Sequence, residues 1–160
     1  MIFHFFTAPF LFPHFMVIME EMYVKEVFFM GKVMDILETI GHFGKNPDGS
    51  YTRRLYSTEF FQALEAAEEL LRQAGLTTSR DAAGNLRAVL PGTDPGAKHI
   101  LLGSHLDTVP SGGLYDGAYG VAAAIGCVRR LREEGRKLRH TVEVYAFNGE
   151  EASPLGGTFG

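Results

Sequence analysis

LLGSHLDTVPSGGLYDGAYG, residues 101–120, decides how the chain is read. An apolar run ends abruptly in His105 and Asp107, and a loop of Pro and Gly then presents Asp116 between Tyr115 and Gly117. An imidazole and a carboxylate two residues apart at a strand end can divide a metal site's labour, one binding the ion and the other orienting the ring. Downstream, Gly117 to Glu134 carries Val121, Ile125, Val128 and Leu131 at helical spacing, and His140 to Asn148 reads as a second buried strand. Strand, helix and strand with that connection form a βαβ unit, whose handedness makes the two strands parallel. Ligand sites in such sheets lie outside the carboxyl ends of the strands. His105, Asp107, Asp116 and the adjacent Glu150 and Glu151 all fall there. The expected fold class is α/β, with a mostly parallel central sheet and flanking helices, and the expected chemistry is metal-assisted hydrolysis.

Upstream, Val33, Ile36, Leu37 and Ile40 give a short amphipathic helix over residues 30–43. Ser57 is the expected N-cap of a helix through EFFQALEAAEELLRQAG, with Gly75 as its stop and Phe60, Phe61, Leu64, Ala67, Leu70 and Leu71 facing the core. LTTSRDAAGNLRAVLPG reads as two strands about the turn Asp81–Gly84. Residues 1–19 are apolar, but Pro9, Pro13, His4 and His14 interrupt them, and neither a basic start nor a small-residue cleavage pattern marks a secretory signal. The expectation is an extension, 1–29, with no role in the fold, and a partial catalytic domain over 30–160. No membrane association is expected.

With 46% hydrophobic and 21% charged residues, 160 residues suffice for one domain with a core. A net charge of −4 gives no general reason to bind nucleic acid, and the basic stretch Arg129 to Arg139 reads as a solvated helix end. The single Cys127 excludes an internal disulfide, suits a reducing, cytoplasmic setting, and is expected to be a small buried helix residue.

Taken together, TRRLYS, DAAGNL, GSHLDTVPSGG, YDGAYGV and AFNGEE resemble the M20-type metal-dependent amidases of the hydantoinase/carbamoylase group, from about Met30 onward. That group includes allantoate amidohydrolases, ureidopropionases and N-carbamoyl-L-amino-acid hydrolases. The resemblance implies two divalent ions, zinc or manganese with cobalt or nickel as alternatives, and a small ureido or amide substrate. It assigns His105 to one ion, Asp116 as the bridge, Glu151 to the other ion, Asp107 to the orientation of His105, and Glu150 as general base. A bridging carboxylate keeps two cations close enough to share an activated water, and a carboxylate such as Glu150 can pass its proton to the leaving nitrogen.

Plainer readings exist for each residue. His105 alone suits a hydrogen-bonded structural histidine, Asp116-Gly117 a turn, and Glu150-Glu151 a solvated surface pair. It is their combination that favours the metal site. His99 and His140 read as strand-start residues about 20 Å or more from it. Peptidases of the same superfamily surround the bridging aspartate with a different loop, which makes a peptidase the second enzyme reading. Ala152-Ser153-Pro154-Leu155 departs from the sequence common in this branch and leaves the substrate open.

Members of the group continue well past the position of Gly160, with a further histidine ligand for each ion and a dimerisation domain. The expectation is therefore an amino-terminal part of a homodimeric enzyme, inactive and weakly metal-binding alone, with residues 140–148 as an exposed sheet edge. A non-catalytic short product is the alternative from another class.

Overall fold

The computed structural model of the chain describes residues 12–151. Three helices, α1 (Phe12–Gly41), α2 (Thr58–Gln73) and α3 (Ala118–Glu133), accompany four strands: β1 (Thr77–Arg80), β2 (Leu86–Leu90), β3 (Ile100–His105) and β4 (Val142–Phe147). The chain divides into two units, residues 1–32 and 33–160. In the first, the described residues are helical, so α1 does not start at Met30 as its spacing predicts. Pro13 does not prevent this, because it lies in the first helical turn, where a missing N–H breaks no intrahelical bond. Met22, Tyr23, Val24, Val27 and Phe28 are exposed there. Among the described residues no helix is long and apolar enough to cross a membrane. Residues 1–11 and the departure at Ala152 to Leu155 lie outside the described residues.

The second unit starts with Val33, Ile36, Leu37 and Ile40, which bury the stripe expected of them. In α2, Ser57 caps the amino end by accepting a bond from the Phe60 N–H at 3.2 Å. Glu59 and Arg72 complement the helix dipole at its two ends. At the other end Gly75, with φ +79°, lets its own N–H reach Arg72 O and the Leu76 N–H reach Leu71 O, the paired bonds of a Schellman stop. The buried stripe is Phe60, Ala63, Leu64, Ala67 and Leu71. Phe61 and Leu70, expected in the core, point elsewhere: Phe61 is exposed and stacks on Tyr56, and Leu70 is half-buried.

The strand order is β1-β2-β4-β3. β3 and β4 pair in parallel, as the βαβ reading requires, with His105 opposite Phe147. The other two pairings, β1 with β2 and β2 with β4, are antiparallel. Among the described strands the sheet is therefore mixed, and the mostly parallel expectation is corrected to one parallel pair. The expected exposed edge is corrected too. β4 lies inside the sheet, and the outer strands among the described residues are β1 and β3, the latter with Ile100 and Leu101 exposed. Cys127 is exposed rather than buried. It lies on the turn face of α3 shared with Ala123 and Arg130, opposite the buried Val121, Ile125 and Val128.

Alternation places Val142, Val144 and Ala146 toward α2 and α3, and Glu143, Tyr145 and Phe147 on the reverse face. Glu143 is buried yet charged, and the reverse face satisfies it: Arg87 holds it through two bonds of 2.5 and 2.8 Å, His99 Nδ1 lies at 2.5 Å, and the Tyr145 hydroxyl donates at 3.0 Å. Chiefly through the Arg87 bonds, its carboxyl is held down at about 2, below the ordinary 4.5. A depressed folded-state pKa stabilises above the unfolded value and loses that contribution as pH falls from about 4.5 to about 2. Glu143→Gln is expected to destabilise the fold by about 2–4 kcal/mol at pH 7, with the difference from wild type shrinking below pH 4.5. Urea unfolding of both proteins at pH 7 and pH 3 checks this, and a difference independent of pH would contradict it.

Candidate metal centre

β3 stops at His105 because the following residues leave the ladder, and the stop turns the imidazole out at the carboxyl end of the parallel pair. His105 is buried, and its Nδ1–H donates to the Asp107 main-chain carbonyl at 3.0 Å. That bond leaves Nε2 as the free, lone-pair nitrogen. Nε2 faces Asp116 Oδ1 at 3.7 Å and Glu150 Oε2 at 3.4 Å.

The Asp107 carboxylate is buried, and its work lies elsewhere than on the ring: Oδ2 accepts the Glu151 main-chain N–H at 2.9 Å, while Oδ1 stands 3.8 Å from His105 Nδ1. Asp107 thus meets the histidine through its carbonyl and the second carboxylate pair through its side chain. Gly117 closes the loop behind Asp116. With φ +65° it starts α3, and a Cβ there would lie 2.5 Å from His105 Nδ1 and Cε1. Only glycine allows the loop to pass this close to the ring.

Glu150 and Glu151 follow β4 through Asn148 and Gly149. Asn148 is buried, its N–H donating to Asn85 Oδ1 at 2.7 Å and its amide to Ala83 O at 3.0 Å. Asn85 in turn is fixed by Asp81, which accepts from its main-chain N–H and its side-chain amide, both at 2.9 Å. The DAAGN turn is therefore a bracket for the strand end that carries the glutamates. DAAGNL and TRRLYS contain Asn85 and Arg53, but the bonds these residues make are not visible in the sequence.

Three of the predicted residues come together: one ligand atom each from His105, Asp116 and Glu151 lies within 4.8 Å of the others. Glu150 reaches His105 from an exposed position, and Asp107 stays behind the group. Burial, then the carboxylates of Asp116, Glu150 and Asp107, push the Glu151 carboxyl upward, against the pull of His105. One imidazole and several carboxylates, with no cationic side chain bonded to them among the described residues, are a donor set that fits a divalent ion. Beside it opens a pocket of about 390 Å³, lined by Arg54, Leu55, Asp107, Thr108, Val109, Pro110 and Glu151. That volume suits a small molecule.

An α/β sheet presenting such a group at the carboxyl ends of parallel strands defines a metallohydrolase-like catalytic domain. Residues 85–159 match the model of Peptidase family M28. The chain is 41% identical to the N-carbamoyl-L-amino acid amidohydrolase of Geobacillus stearothermophilus over 73% of its own length and 29% of that protein's. It is 37% identical to the allantoate amidohydrolase of Bacillus subtilis over 79% of its length and 31% of that protein's. A hydantoinase/carbamoylase family amidase from Burkholderia ambifaria superposes with a TM-score of 0.74 at 34% identity, covering 77% of this chain and 30% of the other. The chain belongs to the metallopeptidase-like amidases of the hydantoinase/carbamoylase family, and spans less than a third of the length of these relatives.

Proposed function

We propose that this chain supplies the metal-binding part of an amidohydrolase that cleaves a non-peptide C–N bond in a linear ureido or carbamoyl compound, such as an N-carbamoyl amino acid or allantoate. The observation that carries the reading is the convergence of His105, Asp116 and Glu151 in a family whose relatives bear those activities in their names. His105 Nε2 and a Glu151 oxygen would each hold one of two divalent ions, zinc or manganese, with Asp116 between them. The chemistry such ions supply is polarisation of the substrate carbonyl and a water of lowered pKa.

This chain's own residues do the rest. Asp107 holds the Glu151 main chain, and its carbonyl fixes the His105 tautomer, so both ligands present their free atoms to one point. Glu150, half exposed on the open side, takes the proton from the attacking water and delivers it to the leaving nitrogen. The open pocket beside Glu151 receives the substrate. A cytoplasmic homodimer is the setting that the family resemblance and the lone Cys127 support.

The test is turnover, by a polypeptide of the relatives' full length carrying this sequence, of N-carbamoyl-L-amino acids, allantoate and dipeptides. Ammonia or carbamate release from the first two substrates is expected. Turnover of dipeptides alone would overturn the reading in favour of a peptidase.

A further inference from the structure

Arg53 is wholly buried, the largest side chain to be so among the described residues. A guanidinium keeps its charge there and brings five donors, so its burial is costly unless main-chain or acidic partners surround it. Its partners are main-chain carbonyls in two directions. Nε donates to Leu106 O at 2.9 Å, and Nη1 to Gly41 O at 2.9 Å and Phe43 O at 3.1 Å. Leu106 is the residue between His105 and Asp107.

The main chain of Arg53 adds a second attachment to the same segment. Its N–H donates to Thr108 Oγ1 at 2.8 Å, and its carbonyl accepts the Thr108 N–H at 2.9 Å. Residues 106–108 have left the sheet ladder, so these three bonds take its place in fixing them. Close by, Asp107 Oδ1 and Arg53 Nη2 are both buried without a hydrogen-bond partner. Desolvation lowers the Arg53 pKa, and electrostatic interaction with Tyr51 and then Asp107 opposes it. Beyond Asp107 comes Glu151, held by its N–H.

We propose that Arg53 is a positioning residue of the metal centre: by clamping Leu106 and Thr108 to the end of α1, it fixes where His105 and Asp107, and through Asp107 the ligand Glu151, present their atoms. The inference rests on the proposed metal-site reading. It requires the fork and not merely the charge. A lysine ammonium is a compact donor that cannot span carbonyls on both sides as the planar guanidinium does, so lysine should not rescue the function.

The experiment titrates a polypeptide of the relatives' full length carrying this sequence with cobalt(II) alone, following the visible absorption of the bound ion, for wild type, Arg53→Lys and Thr108→Val, with urea unfolding of each measured in parallel. Arg53→Lys is expected to unfold cooperatively and to bind cobalt about tenfold more weakly or worse, with altered bands, as loss of a residue behind the ligands does elsewhere. Thr108→Val, which keeps the shape and removes one attachment, is expected to weaken binding about threefold, and it decides the matter if Arg53→Lys fails to fold. Lower stability with cobalt affinity and spectrum unchanged in the folded variants would reduce Arg53 to a structural residue and overturn the proposal. Absence of cobalt binding by wild type would instead remove the metal-site reading, and this inference with it.

Discussion

Changing Glu150 to glutamine, in a polypeptide of the relatives' full length, is expected to lower turnover about a thousandfold while leaving bound metal near the wild-type level. The carboxylate stands 3.4 Å from His105 Nε2 on the exposed side and is not one of the three residues whose atoms converge. An amide of the same shape keeps that position and cannot accept a proton. Glu151→Gln should fail differently, by losing metal, since Glu151 belongs to the converging group and its N–H is fixed by Asp107. Metal analysis beside kcat separates the two. Equal metal loss in both variants would contradict the division of roles.

Gly117→Ala is expected to weaken divalent-ion binding by about a hundredfold or more. The added Cβ would lie 2.5 Å from two atoms of the His105 ring and 2.6 Å from its carbonyl oxygen, distances at which the ring or the loop must move. The φ of +65° adds about 1–2 kcal/mol of backbone strain for any residue with a Cβ. His105 and Asp116 are the two residues that must separate, and both belong to the converging group. Calorimetric titration with zinc beside urea unfolding reads both effects, and an alanine variant with wild-type affinity would show that the loop is free to retreat.

The βαβ unit was legible because its signals are local: an apolar run, glycine-rich punctuation, a helical period and a second apolar run. The converging residues followed from one topological rule, that parallel strands bring their carboxyl ends to the same side. What the sequence could not show depends on contacts between distant segments. Insertion of β4 between β2 and β3 joins residues 42 to 60 positions apart, and nothing in HTVEVYAFN marks it as an inner strand paired antiparallel on one side. Cys127 was misread because apolar neighbours surround it in the sequence, whereas burial follows the helix face. Asp107 was legible as a site residue from its spacing to His105, but only the coordinates show its carboxylate turned to the Glu151 N–H. Arg53 and Asn85 sit in the TRRLYS and DAAGNL motifs, but their roles are not legible there, since they depend on bonds to the distant Leu106 carbonyl and Asn148 N–H.

The central claim is that His105, Asp116 and Glu151 converge on one centre for divalent ions, with the Asp116 carboxylate shared. Calorimetric titration with zinc of a polypeptide of the relatives' full length carrying this sequence, run in parallel on its Asp116→Asn variant, tests it most directly. Saturable binding by wild type, reduced at least tenfold by the loss of the shared carboxylate, is the expected result. The same affinity in both proteins, or no saturable binding by wild type, would contradict it.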